Sequence, residues 1–206
     1  MTPQIIFDFD GTLADTAILT MAALKNIAPG LGITIPPLET VRAAIGYRNP
    51  EFYYHVFPGE PEDIIIKISD VTENEEQRLL PDLGEDLLFP GVRGLLDELM
   101  KRRVTMHIAS TGSYTHVNSV INKTGIGGMF NKIFCDRPGK AGMVAEIIGD
   151  ADKNNFIMVG DMAKDLEAAR ANKIIAVGAL YGYCKFGSGF DFYIDSPAKL
   201  LSYLPA

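Results

Sequence analysis

Five short apolar runs, each rich in Ile, Val or Phe, constrain this chain more than any other feature: residues 4–9, 104–109, 132–135, 155–159 and 174–178. Between the later runs lie apolar residues at helical spacing, such as Leu95, Leu96, Leu99 and Met100, ended by Lys101-Arg102-Arg103, and then Val144, Ile147 and Ile148. Buried strands alternating with amphipathic helices predict an α/β fold, a Rossmann-like parallel sheet with helices on both faces. The rhythm fails once: about 95 residues separate the first two runs, where a strand–helix–strand unit needs roughly 30. That interval holds helix-like stretches at 16–27, 38–45, 49–56 and 62–80, punctuated by Pro36-Pro37, Pro58-Gly59 and Pro81. An all-helical lobe inserted into the sheet domain is therefore expected, with 15–85 as the lobe and 1–14 plus 86–206 as the sheet domain. Pro90-Gly91 marks the return.

Four polar clusters follow these runs. The first run ends in Asp8-Phe9-Asp10-Gly11-Thr12, and carboxylates two residues apart on an extended chain point the same way. Like charges held so close need a cation or a shared proton, which suggests a hard metal site; a surface turn after a strand also fits. Run 104–109 leads to Ser110-Thr111-Gly112-Ser113, either a helix N-cap or a set of donors for a phosphate oxygen. Lys140 follows the third run in Asp136-Arg137-Pro138-Gly139-Lys140, just before a helical pattern at 141–148, and reads as a surface lysine or as a fixed ammonium beside a phosphate. The fourth run ends in Gly160-Asp161-Met162-Ala163-Lys164-Asp165, where the acids suit a helix start or a second arm of the same site. All four clusters fall at the carboxyl ends of parallel strands, the edge where open α/β sheets bind ligands. Three carboxylates, a lysine and a hydroxyl gathered there match phosphoryl transfer through a carboxylate nucleophile.

On these residues the chain resembles the haloacid dehalogenase-like hydrolase superfamily. Asp8-Phe9-Asp10-Gly11-Thr12 corresponds to its first motif, Ser110 to the second, Lys140 to the third and Gly160-Asp161-x-x-x-Asp165 to the fourth. Phe89-Pro90-Gly91-Val92 and the insertion after the first motif resemble the phosphoglycolate phosphatase and β-phosphoglucomutase branch. In that branch the third motif reads Lys-Pro, whereas here Ala141 follows Lys140. The resemblance implies a Mg²⁺-dependent hydrolase acting on a small-molecule phosphate ester. Asp8 is then the nucleophile and Asp10 the acid and base; Asp8, the Asp10 carbonyl and Asp161 are metal ligands, with Asp165 behind them. Gly11, Thr12, Ser110, Thr111, Gly112 and Lys140 would bind phosphate, and Tyr47 and Arg48, in the lobe loop Gly46-Tyr47-Arg48-Asn49, would contact the leaving group. Lobe closure would hinge near 13–16 and 85–89. A phosphomutase shares every one of these residues, a catalytically idle binding protein could retain the scaffold, and a phosphonate-cleaving relative would need a lobe lysine, for which Lys25 is nearest.

The formal charge of −7 lies entirely in the insertion: 15–85 carries 5 basic and 12 acidic groups, and the rest balances at 14 of each. Such a field disfavours nucleic acid and anionic lipid. Cys135 and Cys184 are far apart and in no metal-ligand spacing, so both read as reduced, buried thiols. No run is long enough to span a membrane, and Met1-Thr2-Pro3-Gln4 lacks a basic leader, so a cytoplasmic protein is expected, of unspecified oligomeric state. His107 reads as a core histidine, His55 and His116 have no evident partner, and Tyr181-Gly182-Tyr183 reads as packing beside the crevice.

Overall fold

Ile5 and Ile6 are fully buried because strand β1 (Gln4–Phe7) is central, paired in parallel on one side with β2 (Thr105–Ala109) and on the other with β4 (Phe156–Gly160). A computed structural model describes residues 3–137, 139–183 and 189–204, and at Glu85 the backbone alone. Cys184, Pro138 and the start Met1-Thr2 lie outside the described residues. With β3 (Lys132–Phe134), β5 (Ile175–Ala179) and β6 (Phe192–Ile194) the sheet has six strands in the order β3-β2-β1-β4-β5-β6, every pair parallel. The sixth strand was not expected from the sequence.

Side chains alternate between the two faces, as a pleated strand requires. Ile5 and Phe7 join Met106, Ile108, Val159 and Val177 under helices α5 (Val92–Lys101) and α6 (Tyr114–Thr124). Ile6, Met158 and Ala176 pack on the opposite face against α7 (Lys140–Ile148) and α8 (Ala163–Asn172).

Between β1 and β2 run α1 (Thr16–Leu31), α2 (Leu38–Ala44), α3 (Glu51–Val56) and α4 (Glu62–Leu83). Their apolar faces form a core of their own from residues such as Leu24, Val41, Phe52, Val56, Ile65 and Ile68. Each large apolar side chain so buried contributes about 1.5–3 kcal/mol. Pro81 does not end its helix: α4 continues to Leu83, because a proline in the last turn removes only one helical hydrogen bond while Leu80 stays buried. The chain's two passages between these helices and the sheet lie side by side, with Asp15 N donating to Leu87 O (2.8 Å), Phe89 N to Leu13 O (3.1 Å) and an antiparallel bridge from Ala14 to Leu88. Among the described residues no helix is long and apolar enough to cross a membrane. Cys135 is a free, half-buried thiol.

His107 is indeed a core histidine, with Nε2 3.0 Å from Gln4 Oε1 and Nδ1 without a partner among the described residues. Burial, and then Lys132 on the neighbouring strand, push its pKa down to about 4. Between the ordinary histidine value and 4 the unfolded chain therefore holds a proton that the folded chain refuses, and stability falls as pH falls through that window. His107→Leu is expected to flatten this acid limb by a slope approaching about 1.4 kcal/mol per pH unit, read from denaturation midpoints of both proteins.

Candidate active site

The carboxylates of Asp8, Asp161 and Asp165 offer oxygens that all lie within 4.8 Å of one another, although they follow strands far apart in sequence. Asp8 continues the β1 ladder, its N donating to Val159 O at 2.8 Å; Asp161 follows β4, and Asp165 lies in the first turn of α8. All three are buried. Lys140 opens α7 and places Nζ 2.7 Å from Asp8 Oδ1 and 2.5 Å from Asp165 Oδ1. Asp8 Oδ1 also accepts from Phe9 N (2.8 Å), so these contacts all fall on one oxygen of Asp8. Both oxygens of Asp165 are engaged, Oδ2 by Met162 N at 2.8 Å. Thr12 Oγ1 (3.0 Å) and Tyr183 N (2.9 Å) donate to the two oxygens of Asp161.

Two glycines let the backbone close around Asp161. Gly11 has φ +80°, and a Cβ there would stand 2.4 Å from Asp161 Oδ2; a Cβ on Gly182 would stand 2.3 Å from Gly11 O and 2.4 Å from Asp161 Cβ. The Tyr181–Tyr183 turn is thus part of the site wall, more than the packing expected of it. Tyr181 Oη donates to Thr12 O (3.1 Å) and Tyr183 Oη to Asp15 Oδ1 (2.9 Å).

Three carboxylates around one ammonium leave the cluster short of positive charge. Burial first, then the charge of Asp165, raise Asp8 well above the usual carboxylate range against the pull of Lys140. Asp161 is raised as well, by burial and then by Asp165. Burial alone would lower Lys140, but Asp165 and Asp8 outweigh it and keep the ammonium charged. An all-oxygen, anionic donor set of this kind fits a hard divalent cation.

Asp10 forms a second pole. Its Oδ1 accepts from Thr16 Oγ1 (2.6 Å) and lies 2.9 Å from His116 Nε2. His116 Nδ1 is 3.6 Å from Glu76 Oε2 on α4, and Glu76 Oε1 accepts from Thr20 Oγ1 at 2.6 Å. Burial would raise Asp10, but the His116 charge and hydrogen bond, aided by Thr16, hold it below its ordinary value. Burial would lower His116; Asp10 and Glu76 outweigh it and raise the imidazole well above its usual range. His116 therefore has the partners that the sequence did not reveal. Its only local signal is its place in the first turn of α6, beside the buried stripe of Val117, Val120 and Ile121.

The hydroxyl cluster after β2 caps α6 through Ser113, which accepts from His116 N. Ser110 is buried, with Oγ accepting from Gly112 N (3.0 Å); Ser110 Oγ and Asp10 Oδ2 stand 3.2 and 3.0 Å from where a Gly112 Cβ would be. The donors of Gly11 and Thr12 are engaged: Thr12 N on Phe9 O (3.3 Å) and Gly11 N on Ala14 O (2.9 Å) within the loop, and the Thr12 hydroxyl on Asp161 after β4. The Thr111 hydroxyl donates to Gly46 O (3.2 Å), as does Lys164 Nζ (2.9 Å), so both hold the 46–49 loop against the sheet domain. Lys164 also lies 4.8 Å from the Tyr47 ring centre, and Tyr47 stacks on His55 at 3.9 Å. Arg48 Nη2 pairs with Asp136 Oδ1 at 2.7 Å. Lys25 is exposed on α1 and outside the cavity, which removes the candidate for a Schiff base.

Between the helical layer and the sheet lies a cavity of about 150 Å³, with Asp10 on its wall together with Thr20, Arg48, Glu73, Glu76 and His116. The arrangement supplies a buried carboxylate beside a fixed ammonium, a second carboxylate bonded to a histidine, and room for an organic group next to that second carboxylate.

Comparison with known proteins agrees with this geometry. The family model described as haloacid dehalogenase-like hydrolase matches residues 5–179. A phosphoglycolate phosphatase of Synechococcus elongatus is 27% identical over 96% of this chain and 94% of its own length. Among solved structures, a haloacid dehalogenase-like family hydrolase from Streptococcus pneumoniae superposes with a TM-score of 0.83 at 21% identity, covering 98% of both chains. A β-phosphoglucomutase from Clostridium difficile gives 0.73 at 20% identity, over 98% of this chain and 95% of its own, a likeness of fold.

Proposed function

The chain belongs to the haloacid dehalogenase-like hydrolase family, and we propose that it is a phosphatase hydrolysing a small-molecule phosphomonoester through an aspartyl phosphate on Asp8. The observation that carries this reading is the meeting of Asp8, Lys140, Asp161 and Asp165 in one buried cluster, next to Asp10 at the wall of a cavity. The phosphatase named among the relatives supports the same reaction class.

In the first half-reaction an Asp8 carboxylate oxygen attacks phosphorus as the bond to the leaving oxygen breaks. The proton that the alkoxide takes is held at the His116–Asp10 hydrogen bond and delivered from the Asp10 carboxyl. In the second half-reaction Asp10, kept ionised by His116, takes a proton from water, which attacks phosphorus and releases inorganic phosphate and free Asp8. Ser110 donates its hydroxyl hydrogen to a phosphate oxygen, and Lys140 offsets the charge of Asp8 and of the transferring group. Asp8, Asp161 and the Asp10 carbonyl would hold Mg²⁺, with Asp165 behind them; when bound it neutralises the negative charge that gathers between carboxylates and phosphate. The α1–α4 lobe closes over the crevice by bending at the paired passages near 13–16 and 85–89, and Arg48 and Tyr47 come from that lobe.

Phosphate release from p-nitrophenyl phosphate tests the reading. Turnover is expected with Mg²⁺ and is expected to fall at least about a hundredfold in EDTA, the scale of a lost electrostatic stabiliser; turnover indifferent to chelation would sink it. Glucose 1-phosphate separates the mutase alternative, because isomer without phosphate release is what a mutase gives and phosphate release is what this proposal requires.

A further inference from the structure

The cavity beside Asp10 is acidic, and that restricts what can leave. Asp10, Glu73, Glu76 and Asp136 all line it, against Arg48 and His116 as the cations among the described residues. Each of those cations already faces a carboxylate: Arg48 lies 2.7 Å from Asp136, and His116 lies 2.9 Å from Asp10 and 3.6 Å from Glu76. Glu73 has no ion-pair partner among the described residues. It sits three residues before Glu76 on α4, so both carboxylates project from one face of that helix toward the space where a leaving group would lie. Carboxylates accept hydrogen bonds strongly from hydroxyl and ammonium groups and repel other anions in a partly desolvated space.

We propose that this cavity takes a hydrogen-bond-donating leaving group with no negative charge of its own, a polyol or amino alcohol, with Glu73 as the residue that selects it, and that a carboxylate-bearing ester such as phosphoglycolate is discriminated against. The proposal rests on the phosphatase reading and narrows it. It also departs from the substrate that the Synechococcus relative's name would suggest, since among the described residues the one arginine lining this cavity is tied to Asp136. A glycolate carboxylate would enter beside Glu73 with no unpaired cation among the described residues that line the cavity. Hydroxyls on adjacent carbons, or an ammonium, would instead donate to Glu73.

Two measurements keep the levels apart. Hydrolysis of p-nitrophenyl phosphate by the wild-type protein, lost in Asp8→Asn, reads the phosphatase assignment. Calorimetric binding of glycerol 1-phosphate, phosphoethanolamine and phosphoglycolate to the Asp8→Asn protein with Mg²⁺ reads the cavity without turnover. Glycerol 1-phosphate and phosphoethanolamine are expected to bind at least about tenfold more tightly than phosphoglycolate, with the same order in wild-type kcat/KM. Glu73→Lys should shift the ratio about tenfold or more toward phosphoglycolate, and Glu73→Gln should shift it part of the way. Phosphoglycolate bound as tightly as the other two, or a ratio unmoved by both Glu73 variants, overturns the inference even if p-nitrophenyl phosphate is cleaved. Absence of that cleavage overturns the phosphatase reading, while the binding order still decides the chemistry of the cavity.

Discussion

Asp8→Asn is expected to lower phosphate release at least about a thousandfold and, in the same protein stripped of metal, to raise the melting temperature. The activity loss follows from the nucleophile: an amide cannot form the aspartyl phosphate. The gain in stability follows from the surroundings. Asp8 is buried among Asp161 and Asp165, and burial, followed by the Asp165 charge, raises its folded pKa well above 3.8. A carboxyl with a raised folded pKa adds stability that is fully present below its unfolded pKa and is lost as pH climbs through its folded pKa, so placing a charge on Asp8 opposes folding. Asparagine keeps the shape and can still accept from Phe9 N and Lys140 while shedding the charge. Thermal unfolding in EDTA alongside a phosphate-release assay checks both halves. A variant that melts lower than wild type would mean that the Lys140 pairing outweighs the repulsion among the acids.

Lys140→Met is expected to lose activity on the same scale and to move stability the opposite way, by about 3–5 kcal/mol, the cost of removing one partner from buried charges. Nζ stands between Asp8 and Asp165 with both contacts at 2.7 Å or less, and all three side chains are nearly inaccessible to water. Without the ammonium, three carboxylates face each other in a space that water cannot screen. A drop of roughly 2–4 °C in melting temperature accompanies each kcal/mol in a chain of this size, so the change is large in a simple melt. Excess Mg²⁺ should restore part of the lost stability by supplying positive charge, without restoring turnover. A denaturant titration showing less than about 1 kcal/mol of loss would mean that the carboxylates take up protons instead of relying on Lys140.

The strands and the four clusters were legible because their signals are local. An apolar run ending in Asp-x-Asp-Gly or Gly-Asp is visible within ten residues, and the parallel order then sends such ends to one edge. The sixth strand is three residues long, with Asp191 and Asp195 at its flanks, so it carries no recognisable period; pairing with β5 creates it. The contact from Asp10 through His116 to Glu76 and Thr20 spans four separate segments, two of them in the inserted helices, and no spacing encodes it. Thr12 is visible in the sequence only as part of the first motif; that its hydroxyl donates to Asp161 follows from β4 lying beside β1. Arg48 was visible as a polar residue on a loop, but its pairing with Asp136 depends on how the helices sit over the sheet.

The passages at Ala14 and Leu88 touch across a single bridge, which makes the helical segment a cassette on one narrow port. Exchanging the bundle would nevertheless reach the sheet edge, because Thr16 and Glu76, which hold Asp10 and His116, and Thr20, which holds Glu76, belong to it.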